Sequence, residues 1–241
     1  MAEVDRFGTS DELYSIVIVG SMNPAIHHPR WYLAAKLLSE AEVIEAESQG
    51  KASTSDAEEN VGPSTLLCSE NFSQFTAGVI RVVCLQQNWS IMTMDRSSFD
   101  RARDICAGVF QTLHHTPVKA YGFNFAFHKQ TGLEAVGKSL ARIAEKLPLG
   151  MVSDRGASDF ASFHYHSRRN GDETVTVIEP SINDAAKLFI GVNTSHQIKV
   201  EGLFDLGPML LESFSKDWRD AEELASRAVA QFNNFKLEDT Y

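Results

Sequence analysis

Two histidines and a glutamate on neighbouring predicted strands are the residues of this sequence best suited to chemistry. His164 and His166 are one residue apart, so on a strand they point to the same face, about 7 Å from each other. Asn170-Gly171 predicts a two-residue type I′ hairpin, in which facing residue numbers sum to 341. Glu179 then lies near His164 on the same face. Imidazole and carboxylate groups bind divalent metals, so these residues predict a metal site whose bound water could hydrolyse a substrate.

A second interpretation gives these side chains no metal. Two histidines do not complete a zinc site, which needs a third protein ligand and supporting hydrogen bonds. Histidines on a half-exposed strand beside valines are then ordinary surface residues. His128 and His196 follow two other predicted strands and could complete a cluster only if the fold brings them to the hairpin. Convergence of two or more of these histidines would favour an enzyme.

Three further sites in the sequence have weaker chemical interpretations. Gly20–Asn23 follows a predicted strand and precedes a helix, as phosphate-binding turns do, but it lacks both G-x-G-x-x-G and a Gly-Lys-Ser/Thr ending. His27 and His28 precede that helix and are predicted to be surface-loop residues. His114 and His115 are predicted to cap the end of another helix rather than to bind a metal.

The recognised catalytic motifs are absent from the sequence, which contains no G-x-S-x-G, H-E-x-x-H, P-loop or paired C-x-x-C. This absence favours a non-enzymatic protein-interaction or assembly module without a cofactor. The alternative is a small-molecule-binding or metal-dependent hydrolytic enzyme that uses the histidines and a divalent metal. The two hypotheses belong to different functional classes, and the sequence leaves both open.

Charge and cysteine content restrict the partners and the compartment. The net charge of −10 disfavours binding to nucleic-acid backbones, and residues 1–60 hold eleven acids against four bases. The three cysteines show no paired spacing, which predicts a reducing compartment. The polar start predicts no signal peptide, and no apolar run approaches the roughly 18 residues that span a bilayer. We therefore expect a cytoplasmic protein that does not enter membranes.

The stretch from Gly78 to His128 predicts a hairpin, a helix and a long strand. The strand 118–127 carries alternating aromatic residues on one face, and small residues on the other. The aromatic residues are Tyr121, Phe123, Phe125 and Phe127. This face requires a second layer, a ligand or a partner subunit, so a homo-oligomer or a protein partner is expected.

The remaining elements divide the chain into three parts. Residues 1–47 are predicted to form a strand–helix unit that docks on the main core, with a strand at 14–19, a helix at 29–39 and a second strand at 41–47. Residues 48–64 are small, polar and acidic, which predicts a flexible linker. Residues 65–241 form the main domain, with helices predicted at 133–147 and 208–232.

These elements predict an α+β fold with a mainly antiparallel sheet and helices packed on one face. The segments 76–147 and 157–232 share the order hairpin, connector, strand, helix, which gives the hypothesis of two duplicated ββαβα-like modules. Asn124 and Asn193 would be equivalent positions in such a duplication.

Two strings of the sequence resemble patterns in a sporadically distributed bacterial family of uncharacterised proteins. They are IVIVGSMNPAI at 16–26 and HTPVKAYGFN at 115–124. The resemblance implies a cytoplasmic bacterial protein. It implies no activity, so catalytic and cofactor-binding residues stay unassigned.

Overall fold

The computed structural model describes residues 11–52, 66–130, 162–169, 172–181, 187–198 and 206–234. The strands are β1 (Glu12–Gly20), β2 (Leu67–Cys68), β3 (Phe72–Ala77), β4 (Ile80–Leu85), β5 (Asn88–Thr93), β6 (Val118–Gln130), β7 (Phe163–Arg169), β8 (Asp172–Pro180) and β9 (Lys187–Gln197). The helices are α1 (Pro29–Ala34), α2 (Glu40–Ala52), α3 (Phe99–Thr112) and α4 (Leu206–Asn234). All strands join one antiparallel sheet in the order β2-β3-β4-β5-β1-β6-β9-β8-β7. The predicted α+β class is confirmed.

The first strand of the chain lies in the middle of this sheet. Val17 of β1 pairs with Ser90 of β5 on one side and with Gly122 of β6 on the other. The N-terminal strand, predicted to belong to a unit that docks on the core, is therefore a central part of the core. Without β1, the strands β2–β5 and β6–β9 would have no hydrogen-bonded contact across the sheet.

The aromatic face of β6 is covered by helices of the same chain. Phe123 packs on Phe214 of α4 with ring centroids 5.6 Å apart, and Phe125 packs on Trp218 at 5.5 Å. Phe99 of α3 contacts Phe125 at 5.9 Å. The second layer that this face requires is thus formed by α3 and α4, and the face no longer argues for a partner subunit.

The helix α2 replaces a predicted strand. Residues 41–47 were expected to extend because of Val43, but Ser39 and Glu42 form a capping box. The Ser39 amide donates to Glu42 Oε2 at 2.7 Å, and the Glu42 amide donates to Ser39 Oγ at 3.4 Å. The strand prediction is wrong because this cap starts a helix, which continues to Ala52 within the predicted linker 48–64. Residues 53–65 lie outside the described residues.

The hairpin of β7 and β8 has the predicted register. Phe163 pairs with Ile178 and Arg168 with Glu173, so the facing numbers sum to 341 along the whole hairpin. The helices predicted within 78–128 and at 208–232 are α3 and α4, and each buries one apolar stripe. The stripe of α3 is Phe99, Ala102, Ile105, Cys106, Val109 and Phe110, and that of α4 is Leu210, Phe214, Trp218, Ala221, Ala225 and Ala228. The helix predicted at 133–147 lies outside the described residues.

The two proposed duplicated halves meet inside the sheet through one strand from each. The third strands of the two halves, β6 and β9, pair with each other, and Asn124 lies opposite Asn193. The halves differ elsewhere, because α3 separates β5 from β6 whereas only residues 181–186 separate β8 from β9. The duplication stays a prediction.

Candidate functional site

The four candidate histidines occupy both faces of the sheet. Opposed residues of antiparallel strands point to the same face. His196 pairs with Tyr121, which places it on the face covered by helices. His164 and His166 pair with Val177 and Val175, whose register places them on the opposite face, with Asn124 and His128. His196 therefore cannot join the other three histidines around one metal.

The hairpin histidines have hydrogen-bond partners of their own. Ser162 Oγ donates to Glu179 Oε2 at 2.9 Å and lies 2.8 Å from His164 Nε2. Because the single serine proton goes to Glu179, the imidazole must donate to Ser162, so it does not activate the hydroxyl as a nucleophile. His166 Nδ1 lies 3.5 Å from Glu173 Oε1. These groups are exposed to water.

The predicted metal site at His164, His166 and Glu179 is not assembled in the described part of the chain. Among the described residues, no group of three or more His, Cys, Asp or Glu side chains is arranged to hold a metal ion. Glu173, which lies beside His166, is held by Arg168 at 3.0 Å, and these hydrogen bonds lower the pKa of its carboxyl. The metal assignment stays a prediction.

A second polar cluster, which the sequence did not reveal, surrounds His196. His196 Nε2 lies 2.5 Å from Asp217 Oδ2 of α4, and His196 Nδ1 lies 3.2 Å from Asp172 Oδ1 of β8. The imidazole stacks on the Tyr121 ring at 4.8 Å between centroids. The Tyr121 hydroxyl is 2.7 Å from Ser213 Oγ of α4. The cluster thus joins β6, β8 and β9 to α4.

Both carboxylates favour the doubly protonated imidazolium of His196. Burial opposes this charge, but the hydrogen bonds and charges of Asp217 and Asp172 outweigh it, so the pKa of His196 is raised. Neither ring nitrogen is free to accept a proton from a substrate. The arrangement can hold a helix to a sheet, but it does not offer a general base.

His27 is a buried residue, and the prediction of a surface loop is wrong for it. Its side chain is 2% exposed, and His27 Nδ1 lies 2.8 Å from the Tyr32 hydroxyl. Trp89 Nε1 donates to the same hydroxyl at 3.1 Å, so Tyr32 gives its own proton to His27. Burial lowers the pKa of His27 to about 4. The neutral imidazole anchors the segment before α1 inside the core.

The other histidines have local structural roles. The His28 side chain accepts the Arg30 amide and caps α1. His128 Nδ1 lies 2.7 Å from Ser181 Oγ. His114 and His115 follow the last residue of α3, with their rings 3.9 Å apart. They therefore lie beyond the helix end rather than in its last turn.

The turn at Gly20–Asn23 does not offer its backbone to a phosphate. The Gly20 amide donates to Gln87 O at 3.0 Å, the Ser21 amide to Pro117 O at 3.0 Å and the Met22 amide to Gln86 O at 2.8 Å. A Cβ atom on Gly20 would lie 2.3 Å from Pro117 O, so glycine is needed for this close approach. The turn positions backbone segments and is not a phosphate cradle.

One accessible surface of the sheet lies at the β7 edge. Among the described strands, β7 is the last of the sheet and pairs with β8 alone. Residues 164–168 are exposed, and Tyr165 is 67% exposed. Tyr165 lines a groove of about 450 Å³ between this hairpin and α4. Its other lining residues are Thr176, Ile178, Asp220, Glu223, Leu224, Arg227 and Ala228.

Thr176, which lines this groove, is a buried polar residue. Thr176 is 4% exposed, and its Oγ1 has no hydrogen-bond partner among the described residues. A buried hydroxyl without a partner costs about 1–3 kcal/mol. The lining combines apolar and aromatic side chains with the carboxylates of Asp220 and Glu223 and the guanidinium of Arg227.

Compared with models of known protein families and with curated proteins, the chain matches none. No helix in the described ranges is both long and apolar enough to cross a bilayer.

Proposed function

We propose that this chain is a non-enzymatic protein-interaction module that binds an extended segment of a partner along β7. The observation that carries this proposal is the position of the edge strand β7 beside the apolar groove. An edge strand offers unpaired backbone donors and acceptors, and a neighbouring groove receives a side chain. Backbone pairing supplies affinity in this mode of recognition, and the groove supplies specificity.

The residues that would pair with the partner follow from the hairpin register. A two-residue loop after Arg169 favours a backbone hydrogen bond between Arg169 and Asp172. Along an antiparallel strand pair, residue pairs that are joined by backbone hydrogen bonds alternate with pairs that are not. Arg168, His166 and His164 then direct their backbone N–H and C=O groups away from β8. The added strand would bond to these three residues.

Charge favours another protein over a second copy of β7. Antiparallel pairing of two β7 strands about His166 would place each His164 opposite Arg168 of the other copy. The Arg168 guanidinium groups of both copies would then lie on one strand pair, and β7 contains no carboxylate to oppose them. We therefore infer that the partner is a different protein that supplies a segment without such groups.

The resemblance at 16–26 and 115–124 supports a bacterial cytoplasmic setting for this module. The three cysteines agree with a reducing compartment, because Cys68, Cys84 and Cys106 are all free thiols. In this proposal the chain takes part in assembly, and it needs neither a cofactor nor a metal.

The test is selection of displayed random peptides on the purified protein, followed by fluorescence anisotropy of the selected peptides. We expect selected peptides to share a large apolar residue. His166→Pro should weaken their binding more than tenfold, because proline removes an outward N–H and obstructs the added strand. His166→Ala removes the same imidazole but keeps the N–H, so it should change binding less than threefold.

The second arm of the test concerns the groove. Tyr165→Ala removes one wall at an exposed position, so we expect the fold to persist and the binding to weaken about tenfold. Peptides that bind equally well to His166→Pro and to the unchanged protein would contradict the proposal. So would a stable dimer that His166→Pro converts to monomers, because the edge would then serve self-association.

A further inference from the structure

The groove beside β7 has two walls that belong to different elements, and one histidine bonds to both. The strand β8 lines the groove from the hairpin side, and α4 lines it from the other side. Asp172 is the first residue of β8, four residues before the lining residue Thr176. Asp217 lies on α4, about one helical turn before the lining residue Asp220. His196 of β9 bonds to both carboxylates, so it links the two walls at one end of the groove.

The link depends on the number of protons that the imidazole of His196 carries. Its Nε2 lies 2.5 Å from Asp217 Oδ2, and its Nδ1 lies 3.2 Å from Asp172 Oδ1. The imidazolium has two N–H donors, so it bonds to both carboxylates at once. The neutral ring has a single donor, and its second nitrogen presents a lone pair to the other carboxylate. Only one wall then keeps its bond to the ring.

Asp172 is the carboxylate that the neutral ring releases. The Asp217 side chain is 9% exposed and makes the shorter contact, so the loss of its donor would leave a buried charge without compensation. The Asp172 side chain is 52% exposed and can turn towards water. The single proton of the neutral ring therefore stays on Nε2, and the hairpin loses its link to α4.

The other titratable groups around the ring do not replace this exchange. Tyr121 of β6 stacks on the imidazole at 4.8 Å between centroids, and burial raises the pKa of its hydroxyl, so it stays neutral while His196 titrates. Glu212 on α4 is exposed and acts on Tyr121 through its charge, but among the described residues His196 forms ion pairs with Asp172 and Asp217 alone. These two carboxylates therefore decide how the ring links the walls.

We propose that His196 is a pH-operated latch of the β7 groove, whose imidazolium holds the hairpin to α4 and whose neutral form lets them separate at the Asp172 end. Burial opposes the charge, but Asp217 and Asp172 outweigh it and raise the pKa of His196. The latch is therefore closed below about pH 6.5, the ordinary value for histidine, and opens as the pH rises through the raised value.

The consequence for binding rests on the proposed function of the β7 edge. A partner segment that enters the latched groove meets walls that are already in place. Unlatched walls must be ordered during binding, and this ordering reduces affinity. The partner should therefore bind more tightly at low pH.

The test of the latch is amide hydrogen exchange of the hairpin at pH 6 and pH 9, expressed as protection factors to remove the intrinsic effect of pH on exchange. We expect protection within residues 172–176 to fall at least fivefold at pH 9 in the unchanged protein. In Asp172→Asn it should change less than twofold, because the asparagine amide accepts from the imidazolium and donates to the neutral ring. His196→Gln cannot titrate, so it should also lose the pH dependence.

Glu212→Gln is the matched control for these variants. It removes a carboxylate from α4 but leaves both bonds of His196 intact, so it should keep the full pH dependence. Circular dichroism checks that each variant is folded. Protection factors that are equal at pH 6 and pH 9 in the unchanged protein, or that fall equally in Asp172→Asn, would overturn the latch.

The regulation of binding is tested with the peptides selected on β7, made with capped ends and without ionisable side chains. From pH 6 to pH 9 their affinity should fall at least threefold more for the unchanged protein than for Asp172→Asn. The edge residues His164 and His166 are present in both proteins, so any pH effect of theirs is common to both.

The outcomes separate the latch from the function of the edge. Equal pH dependence of peptide binding in the unchanged protein and in Asp172→Asn, or tighter binding at pH 9, would overturn the regulation. A selection that yields no peptide would contradict the proposed function, whereas hydrogen exchange would still decide whether the latch exists.

Discussion

His196 and His27 are both largely enclosed by the protein, and their surroundings shift their pKa values in opposite directions. Asp217 and Asp172 raise the pKa of His196, whereas burial lowers the pKa of His27 to about 4. Folded and unfolded states therefore bind protons differently at each site, and each histidine links stability to pH. The two contributions are lost at opposite ends of the pH range.

The contribution of His196 should decrease as the pH rises. The pKa of His196 in the folded protein lies above its value of about 6.5 in the unfolded chain. The stabilisation is therefore complete below about pH 6.5, and it is lost as the pH rises through the raised pKa of the folded state. We expect His196→Gln to lower the free energy of unfolding by about 2–3 kcal/mol at pH 6 and by less at pH 9. Urea unfolding at both pH values measures this difference.

Asp217→Asn is the control for this prediction. It keeps an acceptor for one N–H of His196 but removes the charge that favours the imidazolium. It should reduce the same pH dependence. An equal loss of stability in His196→Gln at pH 6 and pH 9 would show that the cluster contributes packing and not charge.

The contribution of His27 should be lost as the pH falls. Its folded pKa of about 4 lies below the unfolded value, so the unfolded chain takes up a proton first and stability decreases from about pH 6.5 towards pH 4. We expect the His27 imidazole to stay neutral at pH 5 in an NMR titration. A midpoint near 6.5 for this residue would contradict its burial against Tyr32 and Trp89.

At the residue scale the sequence identified His196 as a candidate but not its partners. Asp217 is on another element, and Asp172 comes from a strand that is adjacent in space through β8 and β9 pairing. Residue spacing along the chain does not reveal these two contacts, because Asp217 reaches His196 only after α4 has packed on the sheet. The burial of His27 is hidden in the sequence for a similar reason, since Tyr32 and Trp89 come together around it only in the folded core.

At the element scale, turn residues and apolar stripes in the sequence predicted the elements that depend on residues close together in the chain. Asn170-Gly171 gave the correct register of β7 and β8 because a two-residue loop fixes the pairing. The apolar stripes of α3 and α4 gave correct helices because one face of each is buried. The helix at 41–47 has a local signal too, since Ser39 and Glu42 are a capping-box pair visible in the sequence.

Two glycines give a matched test of how closely the elements pack. A Cβ at position 122 in β6 would lie 2.2 Å from Thr194 O, a backbone atom that cannot move without the strand β9. We expect Gly122→Ala to lower the free energy of unfolding by about 2–3 kcal/mol. Chemical denaturation measures the change.

Gly108→Ala is the comparison on α3. Its new methyl would meet Leu37 Cδ2 at 2.3 Å, which is the end of a partly exposed and flexible side chain. Alanine also favours a helix over glycine by about 1 kcal/mol, so this variant should be neutral or slightly stabilising. Equal destabilisation by both variants would mean that the backbone of β9 can move away from a methyl group at position 122 as easily as the Leu37 side chain can move at position 108.

At the scale of the whole molecule, β1 joins the two sides of the sheet, so we expect them to unfold as one cooperative unit. Ile16 is fully buried and pairs with Ile91 of β5 and Phe123 of β6. We expect Ile16→Ala to destabilise the protein by about 2–5 kcal/mol while unfolding remains a single transition. Tryptophan fluorescence, far-UV circular dichroism and labelling of the buried Cys84 thiol should report the same midpoint. Separate midpoints would show that the strands on either side of β1 unfold independently.

The central position of β1 also has a consequence during synthesis on the ribosome. β1 leaves the ribosome before both of its partners, and Val19 waits about 70 residues for Asn88 of β5. At about 5–20 residues per second, this interval lasts roughly 3–14 s. During that time the run Ile16–Val19 is an unpaired apolar strand on a nascent chain. We therefore expect aggregation of the nascent chain to grow with the rate of translation initiation unless a chaperone shields this segment.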